Sequence, residues 1–220
     1  MARGASMAMG WVRVLACAAG AMLPLTAHAD QVRVPGQDQS SAFMRIYGST
    51  LPPFGFVKFC ERTPSECRQG PLEEARFEAK GARMQQLDEI NRSVNAAVEP
   101  ATDLEVYGQT EYWTLPGAKG DCEDYALLKR HMLVNRGWPA SALLMTVVRD
   151  EKGEGHAVLT VRTAQGDFIL DNKTDDIKAW HKTPYAFVMR QSYIDPKVWV
   201  SLDPKDARLP ALLSGVRGNR

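Results

Sequence analysis

The stretch Gly120-Asp121-Cys122-Glu123-Asp124-Tyr125-Ala126, followed by Leu128, Met132 and Leu133 and then by Gly137 and Pro139, decides how the rest of the chain is read. Tyr125, Leu128, Met132 and Leu133 recur at helical spacing, and Pro116-Gly117 breaks the chain shortly before them. Gly137 stands where a left-handed C-terminal cap belongs, and Pro139 prevents continuation. The spacing predicts a helix whose first turn carries Cys122. A thiol is a nucleophile only as its thiolate, and the unpaired N–H groups of a helix's first turn favour negative charge, so Cys122 is a candidate nucleophile. Position alone is weak, because a lone cysteine is ordinarily a small buried apolar residue. Its company has to decide.

Downstream, Ala142 to Arg149 is a β-branched and apolar run, a Gly-bearing turn follows, His156 to Thr163 is a second run, and Asp167 to Asn172 is a third after Ala164-Gln165-Gly166. These predict an antiparallel meander, with Asp195 to Asp203 as a further edge strand and a weakly ordered tail after Pro204. His156 opens one strand and Asp171 ends the next, so Cys122, His156 and Asp171 supply a nucleophile, a base and a base-orienting carboxylate. With Gln165 at the hairpin apex, residue 156 faces about residue 174. Asp171 is then some three positions out of opposition, roughly 10 Å along a strand, which twist, a bulge or the length of the imidazole must close. His131 lies too far round the helix to serve Cys122 and reads as a surface or interface residue, as does His181. Asp175-Asp176 reads as a solvated turn and Asp167 as a turn residue beside the apex. Trp113 either lines a cleft or fills core. The backbone N–H of Cys122 is the natural oxyanion donor, with Gln109 a guess for a second.

Upstream, Leu72, Ala75, Ala79, Met84, Leu87, Ile90, Val94 and Val98 predict a long amphipathic helix, or a pair broken at Gly81, that Pro100 stops. Leu51-Pro52-Pro53-Phe54-Gly55-Phe56 reads as irregular chain. The N-terminus reads as an export signal over residues 1–29: Arg3 and Arg13, an apolar run Val14 to Leu25, and Ala27-His28-Ala29 as the cleavage site. That leaves a single domain over residues 30–220. A lipid-modified Cys17 is the competing reading. In an oxidising compartment Cys60 and Cys67 are expected to form a disulfide, leaving Cys122 unpaired.

The chain has 220 residues, 45% hydrophobic and 24% charged, which suits one globular core. Its 27 basic and 26 acidic residues contain no Lys/Arg block, so it lacks the electrostatic footprint of a nucleic-acid binder. No segment past the export signal approaches the roughly 18 apolar residues a transmembrane helix needs, so an integral membrane protein is not expected.

Gly120-Asp121-Cys122-Glu123-Asp124-Tyr125-Ala126, Gly155-His156-Ala157-Val158-Leu159 and Phe168-Ile169-Leu170-Asp171-Asn172 resemble the three motifs of the bacterial transglutaminase-like cysteine peptidases, the LapG-type periplasmic proteases among them. The resemblance covers approximately residues 45 to 200. It implies an α+β fold with a papain/transglutaminase-like core, a cysteine-bearing helix packed on an antiparallel sheet. It also implies Cys122 as nucleophile, His156 as base and acid, and Asp171 as orienter. Asp121, Glu123 and Asp124 would oppose a neighbouring thiolate by like-charge repulsion. They are read either as acids complementing the helix dipole, with Asp121 as cap, or as ligands of a hard cation, although a full shell needs 6–8 oxygens. The resemblance implies calcium at these acids. It further implies a periplasmic endopeptidase that cuts a large surface adhesin to release cells from a biofilm and is sequestered by an inner-membrane cyclic-di-GMP receptor. A transglutaminase or amidase acting on another envelope substrate, and a non-catalytic binding module, stay open beside it.

Overall fold

The computed structural model describes residues 41–68, 76 and 78–208. The expected export signal with Cys17, most of the first half of the expected Leu72–Val98 helix, and the tail beyond residue 208 lie outside the described residues.

The sheet is built on two β-branched runs, β4 (Leu143–Arg149) and β5 (Gly155–Thr163), nearly every residue of which is buried. They pair antiparallel from Leu143↔Val161 to Arg149↔Gly155. Strand β5 pairs in turn with β6 (Gly166–Leu170), with Thr163 opposite Gly166, so the hairpin apex is Ala164-Gln165. With β1 (Gly48–Thr50), β7 (Lys178–Ala179), β8 (Ala186–Gln191) and β9 (Trp199–Ser201) the order is β1-β9-β8-β4-β5-β6-β7, all neighbours antiparallel. The strand expected as an edge, β9, is therefore internal, because β1 covers it. Short β1, β7 and β8 lack a readable alternation.

One sheet face carries Leu143, Met145, Leu159, Val161 and Leu170, which pack under helices α2 (Ala82–Ala97) and α4 (Cys122–Asn135). Burying each such side chain contributes about 1.5–3 kcal/mol. Helix α4 lies against both β5 and α2, so Tyr125, Ala126, Leu127, Lys129, Arg130 and Leu133 are buried around much of its circumference rather than along one stripe. Gly137 has φ +82°, the left-handed conformation expected just past its end. Helix α2 begins at Ala82 directly after Gly81, which has φ +52°, so of the two readings the break at Gly81 holds and the single long helix does not.

The Pro-Pro stretch read as irregular leads into helix α1 (Phe54–Arg62), whose Phe56 and Phe59 are buried. Proline is tolerated at a helix entrance because its missing N–H is not needed there. The Cys60–Cys67 disulfide ties α1 to the following 3-10 turn. Phe56, Trp113 and Trp199 pack edge-on, with centroids 5.2–6.4 Å apart, so Trp113 fills core. A short parallel pair, β2 (Glu99–Pro100) with β3 (Lys119–Gly120), delivers the chain to α4. Among the described residues no helix is long and apolar enough to cross a membrane.

Candidate active site

Cys122, a half-buried residue, is the first of α4, and its Sγ accepts a hydrogen bond from the backbone N–H of Ala157 on β5 at 3.3 Å. Ala157 directly follows His156, the second residue of β5. His156 Nε2 lies 2.9 Å from Asp171 Oδ1, with both side chains buried. That contact leaves Nδ1 as the imidazole's remaining nitrogen. The ladder between β5 and β6 ends at Leu159↔Leu170, so Asp171 has left the sheet and is free of the strand register that would have kept it distant. Its position is fixed from outside the hairpin. Asn95 Nδ2 on α2 donates to Asp171 O at 3.0 Å, the Lys173 N–H donates to Oδ1 at 3.0 Å, and the Tyr185 hydroxyl donates to Oδ2. Burial alone would raise the Asp171 pKa, but the hydrogen bonds from His156, Tyr185 and Lys173 together outweigh it and hold the carboxyl below its usual range. The Tyr185 ring meets the imidazole edge-on at 5.6 Å. Sequence reasoning missed Tyr185, which no motif or periodicity marks.

The acids sort into two groups. Glu123 turns toward the thiol: Cys122 Sγ donates to Glu123 Oε2 at 3.2 Å. Asp121 and Asp124 instead meet Asp103, and one carboxylate oxygen from each of the three lies within 4.8 Å of the others. Asp103 opens the short helix α3 (Asp103–Tyr107), and the capping box formed by Thr102 and Glu105 is the sequence signal that marks this helix start. Each carboxylate commits one oxygen to the backbone. Asp103 accepts from Tyr112 N–H, Asp121 from Asp103 N–H at 3.3 Å, and Asp124 from Thr114 N–H at 2.9 Å. Asp103 Oδ1, Asp121 Oδ1 and Asp124 Oδ2 remain, buried and without a partner among the described residues. Gly120 is required for this packing, because a Cβ there would meet Asp124 Oδ2 at 2.7 Å and Asp124 Cβ at 2.9 Å.

Burial raises the pKa of Asp103, with Glu111 adding to it, and of Asp121, with Asp103 adding to it, and burial followed by Asp121 and Asp103 pushes Asp124 up to about 7. Burial and Asp121 push Glu123 up to about 9, and burial and Glu123 push the Cys122 thiol well above its ordinary value. Three convergent carboxylates, each with a buried and unpartnered oxygen, are suitable donors for a hard cation, whose charge would offset this repulsion.

Another charged group went unseen in the sequence. Lys129 lies seven residues after Cys122 on α4, about two turns along the helix, and is only 1% exposed. Its Nζ has no hydrogen-bond partner among the described residues, and burial pushes it down to about 7 while Asp171 and Asp175 pull the other way. The other candidates are accounted for locally. His131 bonds Glu66 and Asn135, Asp175 accepts from Asn95 and pairs with Arg92, and Gln109 is exposed. Asp167, read as a turn residue, is fully buried in β6.

Residues 46–207 match the model of the bacterial transglutaminase-like cysteine proteinase family, BTLCP. Among solved structures, calcium-bound LapG of Legionella pneumophila is 24% identical with a TM-score of 0.48, over 65% of this chain and 83% of that one. The EGTA-treated form of LapG from the same organism is 26% identical with a TM-score of 0.43, over 54% of this chain and 67% of that one. No curated protein matches the chain.

Proposed function

The chain belongs to the bacterial transglutaminase-like cysteine proteinases and is a cysteine peptidase, and from that premise we propose that it is a periplasmic endopeptidase working through Cys122, His156 and Asp171. The observation that carries this is the 2.9 Å contact between His156 Nε2 and Asp171 Oδ1, together with the Ala157 N–H on Cys122 Sγ at 3.3 Å. Asp171 holds the imidazole with Nδ1 available to take the thiol proton. The sulfur attacks a peptide carbonyl, the imidazolium returns that proton to the leaving amine, and water then hydrolyses the thioester to free the acid and the thiol. The backbone N–H of Cys122, at the start of α4, is suited to the oxyanion.

Asp103, Asp121 and Asp124 would hold calcium, with Glu123 between that site and the thiol. The bound ion would supply positive charge beside acids that otherwise disfavour the thiolate. Residues 1–29 are an export signal in this reading, and the three sequence motifs suggest a large surface adhesin as substrate and an inner-membrane cyclic-di-GMP receptor as partner. The test is incubation of the calcium-loaded protein with an adhesin N-terminal fragment. One new N-terminus per cut, absent with Cys122→Ser, supports the peptidase. Ammonia release with crosslinking and no new N-terminus replaces it with an acyl transferase.

A further inference from the structure

On the sheet face opposite α4, three guanidinium groups gather round one carboxylate. Asp167, fully buried, accepts from Arg76 Nη1 at 2.8 Å, from Arg190 Nη1 at 3.4 Å and from Met44 N–H at 2.8 Å. Arg162 is the cross-strand partner of Asp167 on β5, and its guanidinium stacks 4.2 Å above the Tyr193 ring. Arg162 is 6% exposed and Arg190 is 1% exposed. Arg162 Nε, Arg162 Nη1 and Arg190 Nε are buried and have no hydrogen-bond acceptor among the described residues. Glu78, a carboxylate of the neighbouring segment, is committed to Lys80 and Gln165.

Among the described residues the two buried arginines, Arg162 and Arg190, against the one buried aspartate leave an excess of one positive charge out of water, with the half-buried Arg76 adding a further charge at its rim. Burial, and after it Arg190 and Arg76, push Arg162 down only to about 10, so it stays charged at neutral pH. Bridging water can satisfy an N–H but cannot neutralise that excess, and like charges out of water are unfavourable without a counter-ion. Guanidinium groups are the side chains best matched to phosphate-class oxyanions.

We propose that Arg76, Arg162 and Arg190 form an enclosed binding site for a small tetrahedral dianion of the phosphate or sulfate class, which the unpartnered N–H groups of Arg162 and Arg190 ligate. The near-complete burial of Arg162 and Arg190 favours a free inorganic anion over a group carried on a macromolecule. Six positions of β5 separate Arg162 from His156, roughly 20 Å. The anion therefore acts on the stability of the sheet's far end and not on the chemistry at Cys122.

The test is thermal denaturation of the full protein in sulfate and in phosphate at millimolar concentration, against chloride at matched ionic strength. The expected result is a saturable rise in Tm of several degrees, as preferential binding to the folded state requires. In Arg162→Leu the saturable part disappears, leaving only the unsaturable salting effect common to such anions. Arg76→Gln, at a half-buried position outside the strands, is the second variant should Arg162→Leu fail to fold, and it weakens the saturable rise. A wild-type Tm that does not saturate with either anion, or a saturable rise that survives in the variants, overturns the proposal.

Discussion

Replacing Lys129 with methionine removes a charge that the fold buries without a hydrogen-bond partner while keeping a flexible chain of similar length. A fall in pKa from 10.5 to about 7 on folding corresponds to about 5 kcal/mol of preference for the neutral amine, at about 1.4 kcal/mol per pH unit. The folded value is the lower one, so between about pH 7 and pH 10.5 the unfolded chain binds more protons, and stability from this group rises with pH across that window. Below pH 7 the ammonium is carried in both states and its burial cost is felt in full. Lys129→Met should therefore be more stable than wild type at pH 6, by about 2–5 kcal/mol once relaxation around the charge is allowed for. The advantage should shrink steadily toward pH 10. Urea denaturation of both proteins at pH 6, 8 and 10 reads this difference, and titrations common to both cancel. A difference that is independent of pH, or that grows with pH, refutes the reasoning.

Tyr185→Phe removes the hydroxyl that donates to Asp171 Oδ2. It should cost about 1–3 kcal/mol of stability and raise the Asp171 pKa, so that stability and peptide cleavage both fail at higher pH on the acid side than in wild type. Equilibrium denaturation and a pH–rate profile check both effects. Asp103→Asn keeps the shape of the three-carboxylate group and removes one charge, and it should weaken calcium binding at least tenfold by calorimetry while leaving the far-UV circular dichroism unchanged. Gly120→Ala drives a methyl to within 3 Å of Asp124 and should cost about 1–3 kcal/mol by denaturation, with a loss of calcium affinity that a substitution at the open Gly117 does not share.

Much of the fold was legible because strong local signals agreed with one another. The stripe from Tyr125 to Leu133, closed by Gly137, marked α4, and the runs around His156 and Asp167 marked β5 and β6 to within a residue or two. The Cys60–Cys67 disulfide followed from cysteine counting alone. Residues whose role is set across the fold were illegible. Asp103 meets Asp121 and Asp124 only once β2 and β3 pair, and Tyr185 reaches Asp171 from a segment with no motif. Asp171 itself looked badly placed because strand register was extended past Leu170, where the ladder has already ended and Asn95 draws the chain aside. Glu123 and Asp124 are adjacent in sequence yet serve different neighbours, because successive helix positions point about 100° apart.

The alkylation rate of Cys122 at pH 6, in calcium-loaded wild type and in His156→Ala, tests the proposed pairing of thiol and imidazole most directly. The account predicts alkylation in the wild type well above that of a model thiol, falling to the model rate without the imidazole. A wild-type rate no faster than the model thiol, or one that His156→Ala leaves unchanged, contradicts it.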